Sequence, residues 1–161
     1  MVIRSLIFIL LSGALWLPCA SAQVSGDGYV FLGLDKAEGA SFAEALTVGL
    51  GADALFYKGF GAGFDLGYLF PRQSVSDGVG LATLNGTYHL KNRIAGGRFE
   101  PFAVLGYGVA FRSGHLNLYD WGGGAIYWFG RHLGARVDLR DYRSSRYGEY
   151  NFSFRFGLAI H

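Results

Sequence analysis

The 161-residue sequence contains little of several residue types: one cysteine, three prolines and three lysines. A single cysteine, Cys19, excludes an internal disulfide framework and a cluster of thiolate metal ligands. Charged residues make up 16% of the chain, whereas about 25% is usual in soluble domains. After the first 22 residues, no apolar run approaches the roughly 18 residues that a membrane-spanning helix needs. These shortages exclude a disulfide scaffold and a helical membrane protein.

The start of the chain has the features of a secretory signal peptide. Arg4 supplies a positive charge, the apolar run from Leu6 to Leu17 follows, and Ala20-Ser21-Ala22 is a cleavage pattern. The alternative is a lipoprotein modified at Cys19, which Leu17 and Pro18 disfavour because a lipid-attachment site needs small residues there. We therefore predict a signal peptide at residues 1–22 and a single domain at residues 23–161.

The predicted domain is apolar and almost neutral. Removing residues 1–22 takes away Arg4 and leaves 139 residues with 13 basic and 12 acidic side chains. A chain so close to neutral has no electrostatic basis for binding nucleic acid. Because 51% of the whole sequence is hydrophobic and no spanning helix follows the signal, the composition favours a β-barrel.

Apolar and small residues alternate along most of the chain, which is the period of a β-strand. The clearest case runs from Phe60 to Phe70, where large residues alternate with glycine and Asp65. The pair Asn85-Gly86 would usually mark a hairpin turn, but a break there would leave pieces shorter than the 9–11 residues of a spanning strand. Gly122-Gly123-Gly124 is a candidate bulge or register change. The eight predicted strands cover residues 28–34, 45–56, 60–70, 79–91, 99–112, 116–128, 133–142 and 150–160.

The distribution of charge indicates which face of the strands is outside. A soluble barrel would carry lysines on its outer face, yet Lys36, Lys58 and Lys91 fall in predicted turns or loops. The large apolar set is therefore expected to face lipid and the small and charged set a narrow lumen. The predicted fold class is all-β: an eight-stranded antiparallel transmembrane β-barrel with an up-and-down meander. Aromatic residues near both sets of strand ends fit the two belts of such a barrel. The expected members are Tyr57, Tyr88, Tyr127, Trp128 and Phe129 at one end and Tyr68, Phe70, Phe111, Tyr142 and Tyr147 at the other.

Charged residues on the small-residue face are the candidate functional residues. They form a predicted lumen charge network of Asp53, Asp65, Arg136, Asp138, Arg140 and Arg155, with Glu100, Arg112 and Asp120 as further candidates near the ends. An eight-stranded barrel is wide enough only for its own side chains, and both signs occur in similar number, so we expect a plug of paired charges. The same residues would also suit a narrow selective pore or a proton path.

Three stretches carry a resemblance to a known family: residues 101–108, Gly122-Gly123-Gly124 and residues 132–142. Together they resemble the second half of small bacterial outer-membrane β-barrel domain proteins, similar to the transmembrane domain of outer membrane protein A. The resemblance implies an outer-membrane location, eight strands and insertion by the barrel-assembly machinery. We also expect a monomer in contact with outer-membrane lipids and lipopolysaccharide. The chain departs from the family in lacking a peptidoglycan-binding domain and in ending at His161 instead of an aromatic residue.

Enzymatic activity is the main competing class. A lipid-modifying barrel would need a serine, a histidine and a carboxylate together near the outer rim. Ser144, Ser145 and Glu149 lie at a suitable depth, but His132 is expected at the opposite end of its strand, and His115 belongs to another loop. We therefore expect no catalytic residues and no cofactor. We also expect no metal site, since the histidines are isolated in sequence.

We predict that the mature protein begins at Gln23 and that the folded barrel migrates differently on a gel before and after boiling. Mass spectrometry of the protein purified from cells checks the first point, and detergent gels check the second. Folded protein recovered from a soluble fraction without detergent would contradict the membrane assignment.

Overall fold

The computed structural model describes residues 24–37, 44–90, 95–112, 114–144 and 150–161. These residues form eight β-strands and two short 3-10 turns, at Val75–Asp77 and Ala95–Gly97. In the described residues no helix is long and apolar enough to span a bilayer. The strands are β1 (Ser25–Ala37), β2 (Ala45–Tyr57), β3 (Phe60–Pro71), β4 (Val79–His89), β5 (Phe99–Phe111), β6 (His115–Trp128), β7 (Leu133–Ser144) and β8 (Tyr150–Ile160).

The strands form one closed antiparallel barrel in sequence order, which confirms the predicted fold class and meander. The barrel closes where β1 pairs with β8, with Gly28 opposite Ile160. Closure leaves every strand paired on both sides, so no edge is exposed. Residues 24 and 161 lie at one end of the barrel, together with the turn at Lys58-Gly59; we call this the turn end. The opposite end, which includes the connection at residues 72–78, is the loop end.

Two strands are longer than their sequence pattern predicted by more than one residue. β1 covers Ser25–Ala37 and β7 continues to Ser144, so Asp35 and Arg143, expected in loops, belong to strands. Asp35 pairs with Ala45, and Arg143 pairs with Tyr150. Lys36 also lies in β1 and not in a turn, although its side chain is exposed. Charged residues extend these strands because, at the ends of a barrel, they can face either water or the lumen.

The pairing of the strands settles two irregular places. The register runs without a shift through Gly122-Gly123-Gly124, so the predicted irregularity there is wrong. A shift occurs instead between Leu55 and Tyr57, next to the tight turn. Lys58 and Gly59 have φ angles of 48° and 91°, and two positive φ values are typical of a two-residue hairpin turn. Asn85-Gly86 lies inside β4, as predicted.

The outer face of the barrel is apolar along its whole height. Leu84 and Leu105 expose 74% and 68% of their surface, and Leu66 faces outward from the middle of β3. The predicted assignment of faces is therefore confirmed. An eleven-residue strand is about 37 Å long and crosses roughly 26–30 Å when tilted by 35–45°, which matches the apolar band of a membrane barrel.

Aromatic side chains surround both ends, with two exceptions to the prediction. At the turn end, Tyr57, Phe60, Tyr127 and Phe129 are exposed, and Phe60 packs 4.5 Å from Tyr88 between ring centroids. Trp128 and Tyr142, which were expected in the two belts, point into the barrel and are buried. Their positions follow from strand alternation, because residues two apart on a strand share a face. Trp128 therefore faces inward with Ile126, and Tyr142 faces inward with Arg140. Tyr147, also expected in a belt, lies outside the described residues.

We predict that Leu66→Arg destabilises the barrel in lipid by about 2–4 kcal/mol, because it places a charge on the apolar outer face near mid-height. Gly67→Ser is the matched change on the inner face. A Cβ there would lie 3.2 Å from the Thr47 side chain, so a small adjustment accommodates it and the cost is smaller. Equilibrium unfolding of both variants in lipid vesicles gives the two free energies, and equal costs would contradict the assignment of the faces.

Candidate functional site: the charged interior

All six residues predicted for the lumen charge network are buried inside the barrel. Asp53 comes from β2 and Asp65 from β3, while β7 supplies Arg136, Asp138 and Arg140 and β8 supplies Arg155. Each is no more than 5% exposed. They face inward because alternate residues of a strand lie on one face. In each strand the charged residues share a face with small or polar residues, and the large apolar residues lie on the other face. The structure therefore brings together side chains that are far apart in sequence.

Asp138 is the centre of the network. Its carboxylate accepts hydrogen bonds from Arg155 Nε at 2.6 Å and Nη2 at 2.9 Å, a bidentate pair. Arg136 Nε donates to the same carboxylate at 3.2 Å, and Arg140 Nε lies 3.8 Å away. Bidentate, charge-assisted hydrogen bonds are the strongest polar contacts in proteins. One carboxylate thus fixes three guanidinium groups.

Arg140 connects two further carboxylates. Its Nη1 donates to Asp120 Oδ2 at 2.7 Å, and its Nη2 lies 3.3 Å from Asp65 Oδ2. The side chain lies against Gly122, where an added Cβ would stand 2.9 Å from Arg140 Cδ and closer still to a backbone oxygen. Gly122 is therefore required for space and not for a bulge.

Asp65 is held by neutral groups as well as by arginines. Tyr29 donates to its Oδ1 at 2.6 Å, and the Asn85 amide donates to its Oδ2 at 2.8 Å. Gly51 makes room for this cluster, since a Cβ there would lie 2.6 Å from both Asp65 Oδ1 and the Tyr29 ring. Neutral donors raise the number of bonds to a buried carboxylate without adding charge.

Aromatic rings cover the guanidinium groups. Arg136 Cζ lies 3.8 Å from the ring centroid of Tyr29 and 4.0 Å from that of Phe102, and Arg155 Cζ lies 4.2 Å from that of Phe31. These cation–π contacts stabilise cations where water is scarce. Arginine suits this setting better than lysine because its planar group can stack and form several directed hydrogen bonds at once.

The expected balance of charge is not observed. Among the described residues the interior holds seven buried carboxyl groups against three buried arginines and His89. Glu100 and Asp120 were candidates, but Asp27 and Asp35 were missed because the predicted first strand began at residue 28 and ended at residue 34. Asp27 and Asp35 stand an even number of residues from Tyr29 and Phe31 in the same strand, and such residues share a face. This spacing could have placed both aspartates inside the barrel. Asp35 accepts hydrogen bonds from Thr47 at 2.7 Å and Asn151 at 3.1 Å near the loop end.

Arg112, a further candidate for the lumen, is outside it. Half of its side chain is exposed, and its Nη2 pairs with Asp77 Oδ1 at 3.0 Å across the loop end. Hydrogen bonds from Ser74 and from Arg112 lower the pKa of the Asp77 carboxyl below its usual range. This contact is an exposed ion pair, so it adds little stability.

A second cluster lies near the turn end, around a histidine that sequence spacing had left isolated. His89 Nδ1 is 2.7 Å from Glu100 Oε1, and the Trp128 indole donates to Glu100 Oε2 at 3.0 Å. His89 Nε2 lies 3.6 Å from Asp53 Oδ2. Asp27 is directly opposite Asp53 in the β1–β2 pairing. Ligating atoms of Asp27, His89 and Glu100 lie within 4.8 Å of one another. His89 is isolated in sequence, as stated, but the fold places it beside carboxylates from other strands.

The residues considered for catalysis are dispersed where the structure describes them. Ser144 is buried at the loop end of β7, whereas His132 lies at the turn end, with Nδ1 3.2 Å from the His161 carbonyl oxygen. His115 begins β6 at the loop end and is exposed. Ser145 and Glu149 lie outside the described residues.

We predict that Asp138→Asn lowers the free energy of unfolding by about 3–5 kcal/mol, because it leaves buried guanidinium groups without their shared carboxylate. Asp141→Asn is the control: Asp141 pairs with Arg143 at 3.1 Å, and the Arg143 side chain is half exposed, so the cost should be about 0–1 kcal/mol. Urea unfolding in detergent or lipid measures both. Similar losses in the two variants would contradict a dry, tightly paired centre.

Comparison with known proteins identifies the fold. Neither a protein-family model nor a curated protein matches the chain. Among solved structures, Neisserial surface protein A matches with a TM-score of 0.60 and 9% identity over 85% of this chain and 97% of that chain. The N-terminal β-barrel domain of Pseudomonas aeruginosa OprF gives 0.58 and 14% over 84% and 99%. A structure described as de novo design of transmembrane β-barrels gives 0.55 and 17% over 84% and 92%. The chain therefore has the fold of the small transmembrane β-barrels.

Proposed function

We propose that this protein is a monomeric barrel of the bacterial outer membrane with a structural or surface-interaction role, no enzymatic activity and a lumen plugged by its own charges. In this proposal residues 1–22 direct export, and the barrel-assembly machinery inserts residues 23–161. Outer-membrane lipids and lipopolysaccharide then surround the apolar wall. The proposal assigns no cofactor.

The observation that carries the proposal is the contrast between the two faces of one closed sheet. Large apolar residues cover the outside, and among them Leu32, Leu84 and Leu105 are more than half exposed. The inside holds arginines that each contact two or three carboxylates. The interior of an eight-stranded barrel is only wide enough to be filled by side chains. Ion-paired side chains that fill this space oppose the passage of solutes and hold the wall rigid.

A second candidate is a narrow cation-selective pore. The excess of buried carboxylates over arginines favours it, because negative lumen groups attract cations. Crossing the barrel would require cations to pass Arg140 and Arg155, which both lie near Asp65 and Asp138 in the centre. For a lipid-modifying enzyme, the described residues place Ser144 and His132 at opposite ends, so no observation favours that activity.

We expect the purified protein to show no steady conductance in planar lipid bilayers, since paired side chains occupy the lumen. Arg136→Ala removes the group that joins Asp53 to Asp138, and we expect it to produce small conductance steps. Arg143→Ala, which removes an exposed arginine of the same strand, serves as the control and should remain silent. Steady conductance by the unmodified protein would contradict the plug and favour the pore.

A further inference from the structure

We infer that the outer wall of the barrel has a specific site at the loop end for an acylated sugar lipid that carries two phosphate groups. Arg143 and Lys36 bind the phosphates, and an apolar groove below them holds an acyl chain. The inference rests on the proposed function, in which outer-membrane lipids and lipopolysaccharide surround the wall. It adds that one lipid is bound at a defined place on β7, β8 and β1.

Charged residues lie on the lipid-facing side of two strands at this end. Asp141 and Arg143 share the outer face of β7 with Leu139, and Lys36 shares that of β1 with Leu32. A charge on the lipid-facing side is costly at the middle of a bilayer and costs little near its surface. These three charges therefore mark the level of the lipid headgroups.

The length of β7 places Arg143 at the same level. Leu133 begins this strand at the turn end, where 47% of its surface is exposed. The ten steps from residue 133 to residue 143 span about 34 Å of strand, or roughly 24–28 Å along the membrane normal at a tilt of 35–45°. The apolar band of a membrane barrel is about 25 Å tall. Arg143 therefore stands at its upper border, where lipid phosphates begin.

The guanidinium group of Arg143 is oriented and still accessible. Its Nε and Nη2 donate to Asp141 Oδ2 at 3.2 and 3.1 Å, and neither hydrogen bond uses Nη1. The rings of Trp121 and Tyr150 lie 5.2 and 5.7 Å from its Cζ, while 49% of the side chain is exposed. Asp141 and the two rings are therefore positioning residues, and the remaining donors can bind phosphate oxygens.

Lys36 supplies the second cation. Phe152 of β8 pairs with Asp141 on one side and with Lys36 on the other, so Lys36 lies two strands away from the Asp141–Arg143 pair. Two strand spacings amount to about 10 Å, and the Lys36 side chain is exposed. Two cations at this separation suit a headgroup with two phosphates. A glycerophospholipid with a single phosphate would leave one of them unused, and this difference favours the sugar lipid.

An apolar groove lies on the same wall, closer to the middle of the membrane. It has a volume of about 700 Å³ and crosses four strands, with outward-facing lining residues that include Val137, Phe156, Leu32 and Val48. Leu32 is four residues from Lys36 and Val137 is six residues from Arg143, which places the groove roughly 10–17 Å below the cations along the membrane normal. An acyl chain attached to the bound headgroup extends in this direction.

Native mass spectrometry of the whole folded protein in detergent, titrated with bisphosphorylated lipid A, tests the inference. We expect one lipid per chain, and an affinity about tenfold lower or less for monophosphorylated lipid A, because one charge-assisted contact is lost. Phosphatidylglycerol should bind no better than the monophosphorylated lipid. Equal binding of all three lipids, or no retained lipid A, would overturn the inference. Neither result changes the migration of the unboiled barrel on a gel or its location in the cell, which test the proposed function separately.

Variants separate the site from general contact with lipid. Arg143→Gln and Lys36→Gln should each lower the affinity for bisphosphorylated lipid A about tenfold. Arg112→Gln, which changes an exposed arginine at the same end that pairs with Asp77, should leave it unchanged. Val48→Trp fills the groove and should weaken binding with both cations in place, whereas Leu105→Trp changes the outer face of β5 and should not. Equal effects in these variants and their controls would overturn the assignment.

Discussion

Charge pairing inside a closed and narrow barrel is the constraint on which the rest of the structure depends. Arg155, Arg136 and Arg140 converge on Asp138 within 2.6–3.8 Å. None of these groups can be removed singly without leaving a charge where water is scarce. The register of β7 against β8, which places Asp138 opposite Arg155, is therefore fixed by electrostatics as well as by backbone hydrogen bonds. A slip of β7 by one residue would turn its three charges, Arg136, Asp138 and Arg140, toward the apolar outer surface.

The same constraint explains where the small residues stand. Large guanidinium groups and rings fill the lumen only where the opposite strand has no side chain, as at Gly51 beside Tyr29 and Gly122 beside Arg140. Large apolar side chains, such as those of Leu84 and Leu105, lie on the outer face instead. An apolar exterior and a glycine-rich interior are thus two consequences of one closed sheet. In a soluble barrel the outer face would be polar.

Most of the fold could be predicted from alternation, because a period of two assigns each residue to a face without knowledge of its neighbours. Most errors lie at strand ends, where alternation stops being informative; the irregularity predicted at Gly122-Gly123-Gly124 in the middle of β6 is an exception. Asp35 and Arg143 were expected in loops because they are charged, yet Asp35 faces the lumen. Arg112 was expected inside, although it pairs with Asp77 across the loop end. Contacts between distant strands, such as Arg136 with Asp53 or His89 with Glu100, depend on the register around the whole barrel. Sequence spacing alone cannot supply that register.

The buried carboxylates lie at different heights of the lumen, and their partners differ from one height to the next. In the centre, Asp65, Asp120 and Asp138 contact Arg140 and Arg155, and Arg136 joins this group to Asp53. In that region each arginine contacts at least two carboxylates. Toward the turn end, Asp27, Asp53 and Glu100 surround His89, and toward the loop end Asp35 has Thr47 and Asn151 as neutral partners. The carboxylates nearer the openings therefore have histidine, tryptophan, threonine and asparagine side chains among their partners, whereas the arginines converge in the centre.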